Sequence, residues 1–193
     1  MRDPTPANAG SSEPAGNHRL FFALWPDDAT RIAITAAAAR LRTHARGGRW
    51  TAADRYHLTL QFLGTHPELP ASLVQASCAA AAGVRAPGFS IAMDRIGSFR
   101  TRSHLWWLGC RRPEPLLPLR DVLTRSLENH GVPVESAPFV PHVTLVRGAA
   151  RRPPRDAGLV PIVWPVIGFA LIHSESGARD PYRVLGDWPL ALE

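Results

Sequence analysis

The chain has 193 residues, of which 45% are hydrophobic and 20% are charged, and its formal net charge is +6 at pH 7. This length and composition exclude a wholly disordered protein and fit one domain, or two small lobes packed together. The basic balance is compatible with a polyanionic partner, nucleic acid above all.

Patterns in the first half of the chain alternate between strand and helix. Residues 1–17 are almost all small, polar or proline, and they predict a disordered N-terminal tail. After this tail, the hydrophobic pattern predicts strands at 19–25 and 56–63 and alanine-rich helices at 29–45 and 69–82. Pro26, Asp27 and Asp28 supply the N-terminal chemistry of the first helix, and Gly47-Gly48 ends it.

The second half of the chain adds one more helix and several strands. The helix is predicted at 116–130, where leucines recur at helical spacing and Gly131 follows as a C-cap. Strands are predicted at 89–96, 105–110, 139–147, 160–173 and 181–185. This irregular alternation of strands and helices predicts an α+β fold with mostly antiparallel pairing.

Cysteine usage and hydropathy bear on the compartment. Cys78 and Cys110 each lie in an apolar setting, which suits free thiols in a reducing compartment and excludes a cysteine-based zinc cluster. The longest apolar run, at 162–172, is about half the length that a membrane span needs, and no apolar targeting segment opens the chain. We therefore expect a cytoplasmic monomer that does not associate with membranes.

A four-residue pattern occurs twice, 85 residues apart. His57-Leu58-Thr59-Leu60 and His142-Val143-Thr144-Leu145 share the form His-x-Thr-x with aliphatic x, and both lie on predicted strands. A duplicated strand-helix-strand lobe would explain the repeat and would relate the two strands by a pseudo-two-fold axis. Because a strand has a period of two, each copy presents one imidazole and one hydroxyl on the same face.

Two imidazoles and two hydroxyls facing one cleft suit in-line displacement at a phosphodiester. One neutral imidazole can take a proton from water, while the other, protonated, gives a proton to the leaving oxygen. The threonine hydroxyls can donate hydrogen bonds to the non-bridging phosphoryl oxygens, where charge is held through the transition state. This chemistry requires neither a metal ion nor a cofactor.

The paired motifs resemble those of the 2H phosphoesterase superfamily, and more narrowly its bacterial RNA 2′,3′-cyclic phosphodiesterase branch, also called 2′-5′ RNA ligase. The flanking segments RLFFALWPDD, RWTAADRYHLTLQFLG, SFRTRSHLWWLG, FVPHVTLVR and PYRVLGDWPL extend the resemblance over roughly residues 18–190. It implies a single bilobed domain at 18–193, with two lobes of mostly antiparallel sheet flanked by helices and the active cleft between them.

The resemblance also implies an activity and a set of roles. The activity is metal-independent opening of an RNA 2′,3′-cyclic phosphate to a 2′-phosphate, with reverse 2′-5′ ligation as a side reaction. By position, His57 matches the proton donor and His142 the proton acceptor, and Thr59 and Thr144 match the phosphoryl-binding residues. The family commonly has an arginine just after the second motif, so Arg147 is either a further phosphate ligand or a surface arginine. Strict alternation puts it opposite His142, so a bulge or the strand end must redirect it.

Other residues support weaker hypotheses. His104 and His173 suggest a metal site, but neither has a second ligand at a suitable spacing, so we expect no bound metal. The aromatic residues Phe21, Phe22, Trp25, Trp106 and Trp107 either stack on a base or, as their strand spacing favours, form core. Arginines of two loops either steer an RNA backbone or are simply solvated: Arg100, Arg102, Arg151, Arg152 and Arg155.

Two alternative functions remain open from the sequence. One is a non-catalytic module that binds RNA ends, against which the intact second motif argues. The other is a 2H phosphoesterase that acts on a small cyclic nucleotide, such as ADP-ribose 1″,2″-cyclic phosphate. Turnover of each cyclic ester would separate these from an RNA cyclic phosphodiesterase.

Overall fold

The computed structural model describes residues 17–100, 102–134, 138–154, 158–178 and 182–191. The predicted disordered tail lies outside these residues, apart from Asn17, and so does Arg155. Three helices run over Asp28–Arg42 (α1), Ala71–Ala82 (α2) and Leu117–Asn129 (α3). No helix in the described part of the chain is long and apolar enough to cross a membrane.

Ten strands accompany these helices in the described residues. They are His18–Leu24 (β1), Arg49–Trp50 (β2), Leu58–His66 (β3), Phe89–Met93 (β4), Arg95–Arg100 (β5), His104–Gly109 (β6), His142–Ala149 (β7), Ile162–Val166 (β8), Gly168–Glu175 (β9) and Tyr182–Pro189 (β10). All pairs between named strands are antiparallel. The predicted α+β class with mostly antiparallel pairing is therefore confirmed.

The main sheet has two lobes that meet at its centre. Its strand order is β10-β9-β1-β3-β7-β6-β5, and β2 pairs with β7 beside β3. Strands β3 and β7 share a single residue pair, Leu58 with Val143, whereas the neighbouring strands pair along most of their length. The sheet is thus held together at one central point, where its two motif strands diverge.

The helices cover one face of this sheet. Side chains from all three helices, including Ile34, Ala80 and Leu123, pack with Phe22 and Trp106 of the sheet in one buried cluster. The other face carries a much smaller cluster of buried residues, namely Phe21, Ala23, Ala170 and Ile172. This second face is the one left open for a binding site.

Two predicted strands each divide into two strands of different sheets. The segment 89–96 gives β4 and β5, and the segment 160–173 gives β8 and β9. Strands β4 and β8 pair only with each other, from Phe89–Val166 to Met93–Ile162. The first break falls at Asp94, whose carboxylate accepts a hydrogen bond from the Arg111 backbone N–H at 2.8 Å. Hydrophobic periodicity cannot reveal such a change of sheet, because both halves remain extended and apolar.

The first helix begins as its sequence predicts. Asp27 is the N-cap, and its side chain accepts a hydrogen bond from the Thr30 backbone N–H at 2.7 Å. Hydrogen bonding from Thr30, through its side chain and its backbone N–H, lowers the pKa of the Asp27 carboxyl. The helix ends at Arg42, before the predicted end at residue 45, so Gly47 and Gly48 open β2 instead of capping the helix.

Candidate active site

The register between β3 and β7 brings the two motifs face to face. Leu58 lies opposite Val143, and these are the second residues of the two motifs. In an antiparallel pair, this register puts His57 opposite Thr144 and Thr59 opposite His142. Leu58 and Val143 are fully buried in the helix-side core, so the histidines and threonines project from the other face. The four side chains therefore lie on one face of the sheet, where its two lobes meet.

The same backbone contact fixes both imidazoles. Nδ1 of His57 lies 2.8 Å from the carbonyl oxygen of Arg55, and Nδ1 of His142 lies 2.7 Å from that of Val140. A carbonyl oxygen only accepts hydrogen bonds, so Nδ1 carries the proton in each ring. Nε2 is therefore the nitrogen of each histidine that exchanges a proton with a substrate.

Both imidazoles hold their protons weakly. Burial lowers the pKa of His57 to about 4, and the positive charges of His142 and Arg147 act in the same direction, against the hydrogen bond to Arg55. Burial, together with Arg147, also lowers the pKa of His142 below its ordinary value of 6.5. Both rings are consequently neutral at pH 7 in the unliganded protein.

A β-bulge in β7 places Arg147 on the same face as Thr144. Thr144 pairs with Trp107 and Val146 pairs with Trp106, so β7 has one extra residue, Leu145, between these pairs. Leu145 and Val146 are both fully buried, and the exposed Arg147 that follows lines a cavity together with His57 and Thr144. Of the two possibilities that the sequence left open for Arg147, a bulge or the strand end, the structure has a bulge.

Strand β3 carries a bulge at the equivalent point. Thr59 pairs with Ala23 and Gln61 pairs with Phe22, which leaves Leu60 as the extra residue. Phe62 then takes the position that Arg147 takes in the other lobe, and it packs against the cluster around Phe21. The pseudo-two-fold relation thus includes the bulges, but the charge that follows them is present in one lobe only.

Aromatic rings surround the two histidines unequally. His57 contacts Phe21, Trp25 and Tyr182, with ring centroids 5.1, 5.8 and 5.6 Å away. His142 contacts Phe99 and Trp107, at 5.0 and 6.2 Å. These apolar surroundings provide the desolvation that lowers both pKa values.

A cavity of about 130 Å³ opens on one side of the motif pair. It is lined by Arg49, Trp50, Thr51, Ala52, Arg55, His57, Thr144, Arg147 and Tyr182. His142 and Thr59 are not among its lining residues, so the cavity lies on the His57–Thr144 side of the pseudo-two-fold axis. A larger groove of about 370 Å³, between α1 and residues 160–165, contains none of the four motif residues.

The remaining aromatic and histidine candidates from the sequence lie in the core, beside the motif histidines or away from the cleft. Phe22 and Trp106 belong to the helix-side core, whereas Phe21, Trp25 and Trp107 border the two motif histidines. His173 hydrogen-bonds to His18 through ring nitrogens 2.9 Å apart, away from the cleft. Among the described residues, no three histidine, cysteine, aspartate or glutamate side chains come together as a metal site.

Three residues of this site were not predicted from the sequence. Arg49 and Arg55 lie in the segment just before the first motif, and Tyr182 lies near the C-terminus of the chain. Two arginines within eight residues of His57 were a usable signal for an anion site. No sequence pattern near Tyr182 indicates a role in the site, because only the position of β10 in the sheet brings this residue to His57.

The comparisons with known proteins agree with this geometry. The family model of the 2′-5′ RNA ligase superfamily matches residues 26–178. An RNA 2′,3′-cyclic phosphodiesterase of Escherichia coli is 38% identical over 72% of this chain and 75% of its own length. One from Thermus thermophilus is 32% identical over 91% of both chains. The crystal structure of E. coli LigT complexed with 3′-AMP has a TM-score of 0.68 and 33% identity, covering 93% of this chain and 99% of LigT.

Proposed function

Because the chain belongs to the 2′-5′ RNA ligase superfamily, we propose that it hydrolyses RNA 2′,3′-cyclic phosphate ends to 2′-phosphates without a metal ion. The observation that carries the proposal is the pairing of Leu58 with Val143, which opposes each histidine to the threonine of the other motif. Relatives that align over most of this chain are RNA 2′,3′-cyclic phosphodiesterases, which supports the same substrate class.

In the proposed reaction, Nε2 of His142 takes a proton from water, and the water oxygen attacks phosphorus. The bond from phosphorus to the ribose 3′-oxygen breaks on the opposite side, and Nε2 of His57 gives that oxygen a proton. The hydroxyls of Thr59 and Thr144 and the guanidinium of Arg147 bind the non-bridging oxygens. The product keeps its phosphate on the 2′-oxygen, and proton exchange with solvent restores both histidines.

The position of the cavity supports this assignment of acid and base. The leaving 3′-oxygen belongs to the ribose, so the nucleoside must lie on the side of the proton donor. The cavity that borders the motifs is lined by His57 and not by His142. Arg147 also lines it, and a bound phosphate anion there raises the pKa of His57, which prepares this ring to donate. With an RNA 5′-hydroxyl in place of the attacking water, the same step would join the 5′-oxygen to phosphorus and release the 3′-oxygen, which forms a 2′-5′ phosphodiester bond.

The test is turnover of an oligonucleotide with a 2′,3′-cyclic phosphate end in excess EDTA. His57→Ala and His142→Ala are each expected to lose about a hundredfold or more in kcat, the contribution of a general acid or base. His44→Ala is the matched control, because His44 is exposed in the loop after α1. Mass spectrometry against standards identifies the product as a 2′-phosphate. A 3′-phosphate product, or activity that EDTA abolishes, would overturn the proposal.

A cyclic ester of ADP-ribose serves as the comparison substrate. We expect the RNA end to be turned over with the larger kcat/KM, because the cavity wall offers several guanidinium groups to a nucleic acid backbone. Binding of the RNA end without any turnover by folded protein would contradict the enzymatic assignment.

A further inference from the structure

The cavity beside His57 has a wall of positive charge that the reaction at the cyclic phosphate does not use. Arg49 of β2 pairs directly with Arg147 of β7, so two like charges lie side by side on neighbouring strands. Cross-strand like charges destabilise a sheet. Burial lowers the pKa of Arg147, and the charges of Arg19 and Arg49 act in the same direction, against the effect of Tyr182.

No carboxylate relieves this repulsion within the described residues. In the described part of the chain, none of Arg49, Arg55 and Arg147 has an acidic side chain within 4.0 Å, whereas Arg31 and Arg111 pair with Asp28 and Asp94. Nε of Arg55 is moreover buried without a hydrogen-bond partner. A buried, unsatisfied guanidinium nitrogen in a cavity wall points to a ligand that supplies the missing acceptor.

The backbone fixes both arginines beside the catalytic group. Gly48 has a φ of +91° and approaches β7 so closely that a Cβ there would lie 2.8 Å from Cγ2 of Val146. This close approach sets Arg49 opposite Arg147. The carbonyl of Arg55 accepts the hydrogen bond from His57, so the Arg55 side chain starts two residues from the proton donor. Both charges are therefore built into the site.

We propose that Arg49 and Arg55 form a second phosphate subsite, which binds the phosphate on the 5′ side of the nucleotide whose cyclic phosphate is opened. The inference rests on the proposed function, which places the cyclic phosphate at Arg147 and the ribose on the His57 side. In that pose the 5′-oxygen of the same ribose is the next point on the chain that carries an anion. The protein then recognises the terminal nucleotide of an RNA by the two phosphates that flank its ribose.

Such a phosphate can be a terminal 5′-phosphate or an internal phosphodiester. Three substrates separate these sources: a nucleoside 2′,3′-cyclic phosphate with a 5′-hydroxyl, the same compound with a 5′-phosphate, and a 5′-hydroxyl dinucleotide with a cyclic 3′ end. We expect the second and third to have kcat/KM values about tenfold or more above the first, in line with one charge-assisted contact. An advantage of the second alone identifies a terminal monoester, and an advantage of the third alone identifies the diester.

Arg49→Gln and Arg55→Gln should each bring the ratio of kcat/KM with the 5′ phosphate to kcat/KM without it closer to one. Arg125→Gln makes the same charge change on the exposed side of α3 and should keep the advantage in full. Equal kcat/KM for all three substrates in the wild type, or an advantage that survives both substitutions, would overturn the subsite. Thermal unfolding of each variant shows whether the fold is retained.

Turnover of the 5′-hydroxyl mononucleotide tests the proposed function separately from the subsite. A binding measurement makes the subsite testable even without turnover. Calorimetric Kd values are compared for a nucleoside 2′-phosphate and the corresponding 2′,5′-bisphosphate. The bisphosphate should bind about tenfold or more tightly to the wild type, and this gain should fall in Arg49→Gln and Arg55→Gln. The same Kd for both ligands would refute the second subsite whatever the activity.

Discussion

Phe62 and Arg147 occupy equivalent positions in the two lobes of the sheet, each directly after the residue pair that contains a bulge. The backbone is thus duplicated around the motifs, while only one lobe carries a guanidinium at this position. A charge at this position in one lobe alone favours an anion on one side of the pseudo-two-fold axis. This asymmetry gives the two imidazoles different partners, which a reaction with one acid and one base requires.

Loss of the Arg147 charge should impair transition-state binding. Arg147→Gln is expected to lower kcat/KM by about a hundredfold, the cost of removing one donor to a developing phosphoryl charge. Arg147→Lys should recover only part of this loss, because an ammonium cannot bind two phosphoryl oxygens side by side. Steady-state kinetics on a cyclic-phosphate oligonucleotide measures both. Equal kcat/KM for the wild type and the glutamine variant would show that Arg147 does not bind the reacting phosphate.

The pH dependence of kcat/KM should follow the depressed histidine pKa values. The active form has one ring protonated and one neutral, and kcat/KM reports the free protein. The pKa of His57 is about 4 and that of His142 is below 6.5, so the singly protonated form becomes rarer as pH rises through neutrality. We expect kcat/KM to decline on the alkaline side of an optimum below pH 6.5. The optimum of kcat should lie at higher pH, because the bound phosphate favours the protonated rings.

Arg147→Gln tests in which direction the pH profile of kcat/KM moves when this charge is removed. The Arg147 charge lowers the pKa of both histidines, so its removal raises both pKa values. The alkaline limb of kcat/KM should therefore move to higher pH in the variant, even though the maximal rate falls. Rates measured from acid to alkaline pH with one substrate decide the matter. A shift toward lower pH would contradict the electrostatic account.

The repeated motif predicted the centre of this site because strand geometry is local. Alternation alone put His57 with Thr59 and His142 with Thr144 on one face, and the 85-residue spacing suggested two equivalent strands. The bulge at Leu145 was inferred only as a condition for Arg147, since alternation does not show where an extra residue lies. Its counterpart at Leu60 was not foreseen at all.

Long-range register determined what the sequence could not show. Tyr182 reaches His57 because β10 lies beside β9 and β9 lies beside β1. No local sequence pattern encodes this strand order. Arg49 belongs to a strand of two residues, too short to give a periodic signal, and it enters the site through its pairing with Arg147. The division of 89–96 and 160–173 into strands of separate sheets was missed for the same reason.

Acid should destabilise the protein through His57. Its pKa in the folded state is about 4, below the ordinary value of 6.5, so the unfolded chain binds this proton first as pH falls. The contribution of the neutral His57 ring to the free energy of unfolding is fully present above about pH 6.5. It is lost progressively as the pH falls from there to about pH 4. At most about 2 kcal/mol of the free energy of unfolding should disappear between about pH 7 and about pH 5.

Urea unfolding of the wild type and His57→Asn at these two pH values measures this contribution. The variant lacks the titrating ring, so its free energy of unfolding should fall less on acidification, and the difference between the two proteins is the His57 contribution. His44→Asn, at an exposed position, should behave like the wild type. An equal loss in the wild type and His57→Asn would show that other groups account for the acid sensitivity.

Gly97 should be required for the geometry of His142. A Cβ at Gly97 would collide with the indole ring of Trp107, which is only 5% exposed and lies against both His142 and Phe99. Gly97→Ala therefore has to move Trp107, and His142 loses the wall that orients its ring. We expect kcat to fall by about ten- to a hundredfold, as displacements of about 1 Å at a catalytic group do. We also expect the free energy of unfolding to drop by about 1–3 kcal/mol, the usual cost of overpacking.

Gly83→Ala is the matched control, since its Cβ would meet its nearest neighbour, the Ala80 carbonyl oxygen, at an ordinary 3.5 Å. If Gly97→Ala folds and keeps the wild-type kcat while Trp107 fluorescence changes, the indole does not position His142, and the carbonyl of Val140 alone holds that ring.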